Sequence, residues 1–101
     1  MYAIGDVTSV GTARAGVFAE RAGEIVAKEI VAQVRGGTAP RYEGDGHCYI
    51  EFGEDKVAEI SVNFLGGPKP TSDFMGATPE GVVNKRRFGA SRAARWFGMQ
   101  A

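Results

Sequence analysis

His47-Cys48-Tyr49-Ile50-Glu51-Phe52, then Gly53-Glu54-Asp55, then the run from Val57 to Leu65, is the stretch on which the fold turns. Both flanks alternate with a period of two, and the glycine with two acids between them is turn chemistry, so the segment reads as an antiparallel β-hairpin. Successive strand residues point to opposite faces, which puts Cys48, Ile50 and Phe52 on one side and His47, Tyr49 and Glu51 on the other. Cys48 therefore points where the apolar residues point, as a small buried hydrophobe does.

Upstream the period changes to that of a helix. From about Thr12 to Arg35, Phe18, Ala22, Ile25, Val26, Ile30 and Val34 recur at spacings of three and four, with Glu20, Glu24, Lys28 and Arg35 mostly elsewhere. Gly36-Gly37 supplies a left-handed stop. Ahead of this helix, residues 1–4 read as the end of a β-strand running into Gly5-Asp6. Downstream of the hairpin, Gly66-Gly67-Pro68-Lys69-Pro70 breaks the sheet, and the segment to Gly76 has no period. Thr78-Pro79-Glu80 then carries the marks of a helix start: a hydroxyl cap, proline at the first position and an acid in the first turn. A basic helix is expected from there to about Phe97. Long helix, antiparallel hairpin and basic terminal helix make an α+β chain.

At 101 residues and 10.7 kDa the chain holds one modest domain and a small core. A large self-contained enzyme is excluded. No apolar run approaches a membrane span, and Met1-Tyr2-Ala3-Ile4-Gly5-Asp6 lacks the start of a secretory signal, so the expected location is cytoplasmic or peripheral to the inner face of the membrane. With one cysteine, Cys48, the chain can form neither an internal disulfide nor a cysteine-based zinc site, and no metal site is expected. Up to Glu80 there are seven basic against twelve acidic residues, and after it five basic and no acidic ones. Such a basic run is most often a solvated helix face beside an acidic body.

Two familiar patterns fail on inspection. Gly11 to Gly16 has phosphate-loop spacing, but Val17-Phe18 follows where Lys and Ser/Thr are needed. His47 beside Cys48 suggests a nucleophile pair, yet neighbours on a strand face apart. The informative stretch is Tyr2-Ala3-Ile4-Gly5-Asp6-Val7 with the helix start after it. A glycine lets backbone approach a ligand, the acid can accept from a sugar-like hydroxyl, and the amides of Ala15 to Phe18 open a helix whose positive end can face an electron-rich group.

Y-A-I-G-D-V, then A-R-A-G-V-F-A-E, Y-E-G-D-G-H-C-Y-I-E-F-G, K-R-R-F and R-W-F-G together resemble one family across nearly all 101 residues. The chain looks like the C-terminal part of an FAD-dependent pyridine nucleotide-disulfide oxidoreductase, in the branch of sulfide:quinone oxidoreductases and flavocytochrome c sulfide dehydrogenases. It spans only the last quarter or so of such an enzyme, without the N-terminal FAD fingerprint. The resemblance implies residues 1–36 as the end of an FAD-binding domain and 37–101 as a capping or interface region. It implies FAD as cofactor, with NAD(P) or a quinone as electron partner, and the missing N-terminal part of the same enzyme as the partner.

By position, Gly5 and Asp6 match the close approach and the acid at the FAD ribityl chain. Arg14 stands where the family often has Lys, and Ala15, Gly16 and Val17 match the helix start at the flavin pyrimidine. Cys48 matches a catalytic cysteine that works with a second one from the missing part. Lys85 and Phe88 match a K-x-x-F-E motif, although Gly89 replaces the Glu. That departure, with no long apolar helices after Phe97, counts against quinone use and membrane docking. The competing expectation is a non-catalytic binding or dimerisation module with a basic terminal helix. In either case bare apolar faces favour a homo-oligomer. Nucleic acid is not expected as a partner, since the tail is the only positive region.

Overall fold

A computed structural model describes residues 1–99, so the last two residues of the 37–101 region lie outside the described residues. The elements are helix α1 (Gly16–Arg35), strands β1 (Asp45–Gly53), β2 (Lys56–Asn63) and β3 (Thr71–Thr78), and helix α2 (Pro79–Phe97). The strands form an antiparallel sheet in the order β1-β2-β3. The α+β class and both helices are as expected. The chain packs as two compact units, Met1–His47 with Ser61–Asp73, and Cys48–Ile60 with Phe74–Ala101. Residues 1–36 fall wholly in the first, and 37–101 are shared between the two.

Within the first unit the core is Phe18 and Ile25 on α1. Phe18 meets the edge of Phe64 with ring centroids 5.6 Å apart. Its ring also lies against Gly46, where a Cβ would stand 2.6 Å from a ring atom. Arg21 joins α1 to the start of β1, its Nε donating to Asp45 and its Nη1 pairing with Glu24 at 2.8 Å. The helical face read from the sequence is buried only at its N-terminal end, since Ile30 is 44% and Val34 80% exposed.

The second unit is organised on one face of α2. Gly81 is buried against β2, Asn84 donates to Glu59 at 3.0 Å, Lys85 pairs with Glu51, and Phe88 packs on Tyr49 with centroids 5.3 Å apart. Arg92 stacks over Phe88 at 3.6 Å. These positions recur every three or four residues, which keeps them on one side of the helix. The start is as read: Thr78 Oγ1 accepts from the Gly81 amide at 3.0 Å, with Pro79 and Glu80 in the first turn.

Four expectations are corrected. Residues 1–4 form no strand, because a strand needs a hydrogen-bonded neighbour and they join none of the three. They lie along α1 instead, with Gln33 donating to the Tyr2 hydroxyl and Ile4 close over Gly23. The first helix begins at Gly16, not Thr12, since Ala15 is extended and Thr12 packs over Gly44. The segment after Pro70 contains β3, whose residues 71–76 are all exposed. Alternation records burial of one face, and a strand wet on both carries none. Finally, the face of Cys48, Ile50 and Phe52 is not the covered one: Ile50 and Phe52 are 42% and 59% exposed, whereas Tyr49 on the opposite face meets α2. Cys48 itself is half-buried.

Gly81 admits no side chain, because an added Cβ would lie 2.0 Å from the Val57 carbonyl oxygen, a backbone atom held in the sheet. Gly81→Ala is expected to destabilise the second unit by about 2–3 kcal/mol or more through overpacking. Gly89→Ala, in the same helix with open space around it, is expected to gain up to about 1 kcal/mol from helix propensity. Urea unfolding of the two variants beside wild type measures both.

Candidate functional site

The chain's Gly-Asp turn is built by local chemistry. Gly5 takes φ 83°, a conformation that a side chain disfavours, and the next acid is thereby turned outward and exposed. Thr8 closes the turn twice, its amide donating to the Gly5 carbonyl at 3.1 Å and its hydroxyl to the same oxygen at 2.8 Å. Eight residues beyond Asp6, Arg14 returns to it, with Nε donating to the Asp6 carbonyl at 3.1 Å.

Beside this turn lies the start of α1. Its cap residue, Ala15, offers no side-chain acceptor, and no acid sits in the first turn. The positive end of the helix is thus left without the side-chain partner that usually occupies it. A cleft of about 100 Å³ runs between the two, lined by Gly5, Asp6, Thr8, Arg14, Phe18, Ala19 and Tyr42 among others. Tyr42 frames it through a long 3.4 Å bond from its hydroxyl to the Phe18 carbonyl.

Of the residues singled out from sequence, Gly5, Asp6 and Arg14 therefore share one cleft. Ala15, Gly16 and Val17 form the helix start beside it without lining it. Cys48 and Lys85 fall in the second unit. Thr8 and Tyr42 were missed. A threonine two residues after Gly-Asp is a recognisable turn-closing signal, whereas Tyr42 is brought in only by the fold.

The groups around this cleft can accept and donate hydrogen bonds to a polar ligand. An outward acid can accept from a hydroxyl, and an uncapped helix start can donate to an electron-rich group beside it. The volume suits an edge only, since pockets that enclose a whole ligand run to about 300–1,000 Å³. Among the described residues no cluster of three His, Cys, Asp or Glu offers a metal site, and no helix is long and apolar enough to cross a membrane.

In the second unit a wider recess of about 430 Å³ lies between the hairpin turn and α2, edged by Glu51, Glu54, Asp55, Lys56, Lys85 and Arg86. Both signs of charge occur here. The turn is held with positive φ at Gly53, Glu54 and Asp55, a conformation more usual for Asn-Gly. Above it, burial pushes the Tyr49 phenol up from its ordinary range, Glu59 adds to the shift, and Arg92 and Arg87 oppose it.

No protein-family model, curated protein or solved structure matches the chain.

The hydrogen bond from Lys85, and then its charge, hold the Glu51 carboxyl below the usual carboxylate range, with a small opposing effect of burial. A depressed folded value means that the pair contributes above the unfolded value and that its contribution fades as pH falls through the folded one. Being exposed, the pair is worth little to stability. In Lys85→Met, NMR titration is expected to show Glu51 returning upward to the ordinary carboxylate range with thermal stability nearly unchanged.

Proposed function

We infer that this chain is the C-terminal segment of an FAD-dependent oxidoreductase and that it completes the flavin site. The carrying observation is that Gly5 and Asp6 line one cleft with Phe18 and Ala19 of α1, although nine residues separate Asp6 from the start of that helix, which stands uncapped beside the cleft. Asp6 would hold the ribityl hydroxyls, Gly5 would let the backbone come close, and the amides at Ala15, Gly16 and Val17 would face the pyrimidine edge. FAD supplies the electron-transfer chemistry when bound. The segment's own part is to bind and orient, and the phosphate contacts come from the N-terminal part of the same enzyme. NAD(P) or a quinone is the electron partner on this reading, and the location is cytoplasmic or peripheral to the inner face of the membrane.

Cys48 is the candidate redox residue, a half-buried thiol on β1. Its chemistry needs a second thiol, which this chain does not own. Lys85 is supported less as a cofactor contact, because it is already paired with Glu51.

Flavin absorbance of the purified protein that carries this segment tests the assignment. Wild type is expected to retain FAD, Asp6→Ala to lose most of it, and Cys48→Ser to keep it while failing to bleach it with sulfide. Undiminished flavin in Asp6→Ala removes that residue from the site, and a wild type without flavin overturns the reading.

A second reading, a non-catalytic binding or dimerisation module, is favoured by the apolar side chains left bare in each unit, Ile30, Val31 and Val34 in one and Ile50, Phe52 and Trp96 in the other. Light scattering of the 101-residue chain at several concentrations is expected to show concentration-dependent association. A monomer throughout would remove it.

A further inference from the structure

We propose that Arg14 is a positioning residue: it clamps the Gly5-Asp6 turn to the segment that leads into α1 and does not itself touch the cofactor. The inference rests on the flavin reading above and deepens it, since position in the sequence alone groups Arg14 with the cofactor contacts.

The geometry commits the Nε of this guanidinium to the protein backbone. Its Nε donates to the carbonyl of Asp6, the very residue whose carboxylate is the proposed ligand. The turn's other ties are local, both running from Thr8 to the Gly5 carbonyl. Both lie within the turn itself, and neither reaches across the loop that follows, where Gly11 has φ 97°. The Arg14 bond closes that loop and sets where Asp6 stands relative to the helix start. A carboxylate misplaced by about 1 Å no longer meets a hydroxyl that the helix end holds in register. Behind the turn, the Ala19 side chain lies 3.7 Å from where a Gly5 Cβ would stand, so the turn is backed by α1 on one side and clamped by Arg14 on another.

The bond is also chemically particular. A guanidinium presents Nε–H in a fixed plane, whereas a lysine ammonium is a point charge on a flexible stem and offers no donor at that position. Charge alone therefore does not replace it. Arg14 is exposed and the bond is a single one, so its loss should change the population of the correct turn by about 2- to 10-fold.

Two measurements on the protein that carries this segment decide the matter. In the flavin-free form, amide exchange at Thr8, whose N–H closes the turn, is expected to speed up about 2- to 10-fold in Arg14→Ala and by a similar factor in Arg14→Lys, with exchange in the middle of α1 unchanged. FAD affinity is then measured in wild type, Asp6→Ala, Arg14→Ala and the double variant. Arg14→Ala is expected to weaken binding by the same factor when Asp6 is present and to add nothing once Asp6 is gone. Additive losses, or full affinity in Arg14→Lys, would show that Arg14 contacts the cofactor directly and overturn the proposal, as would unchanged exchange at Thr8. A wild type that takes up no FAD at all overturns the flavin reading and Arg14's place in it, while the exchange result still decides whether the clamp exists.

Discussion

Close approach of a helix to a strand at a residue without a side chain is the constraint on which each unit rests. In the second, Gly81 brings the first turn of α2 onto the Val57 carbonyl, leaving no room for even a methyl group. In the first, Gly46 gives its backbone to the ring of Phe18. Few apolar side chains are buried here, Phe18 and Ile25 in one unit and Val57 and Ala58 in the other, so little area is removed from water by the usual means. Tight backbone contact, with dispersion summed over many atoms at short range, makes up part of that deficit. It also places later residues. Once Gly81 is seated, the helical repeat delivers Asn84 to Glu59, Lys85 to Glu51 and Phe88 to Tyr49 without further adjustment.

The charge division along the chain has its local counterpart in that packing. The basic residues after Glu80 are not simply a solvated face: Lys85 is paired with a strand carboxylate and Arg92 lies on an aromatic ring. Arg95 reaches the neighbouring Trp96 ring at 5.6 Å. A guanidinium over a ring covers apolar surface while its charge remains in water, which lets a helix with few apolar residues still bury Phe88 in part.

The cleft in the first unit follows a different logic. The shape of the Gly5-Asp6 turn comes from a positive φ, two bonds from Thr8 and one from Arg14. Polar clamps of this kind cost little stability when altered and act mainly on geometry. An uncapped helix start is ordinarily a small loss. Here it leaves the donors of the first turn without a side-chain partner beside the cleft.

Much of this was legible in the residues. Period and cap chemistry located both helices and the hairpin, because the 3.6-residue and two-residue repeats and the Thr-Pro-Glu start are local properties that a chain carries wherever it folds. Gly5-Asp6 was read as a close approach at a strand end, and the structure makes it a turn without the strand. What escaped was whatever depends on the neighbour. Strand β3 has no alternation because it buries neither face, residues 1–4 have strand-like composition without a strand to pair with, and Thr12 to Ala15 are drawn out of the helix by contacts with Gly44 and Asp6. Composition also misassigned the covered face of β1. Ile50 and Phe52 are the more apolar residues, but only Tyr49 and Glu51 lie where Phe88 and Lys85 come down from α2. Sequence by itself determined the two helices and the hairpin; the tertiary structure decided that residues 71–78 are a strand and residues 1–4 are not, where α1 begins and which faces are covered, because pairing and burial are properties of two surfaces and not of either one.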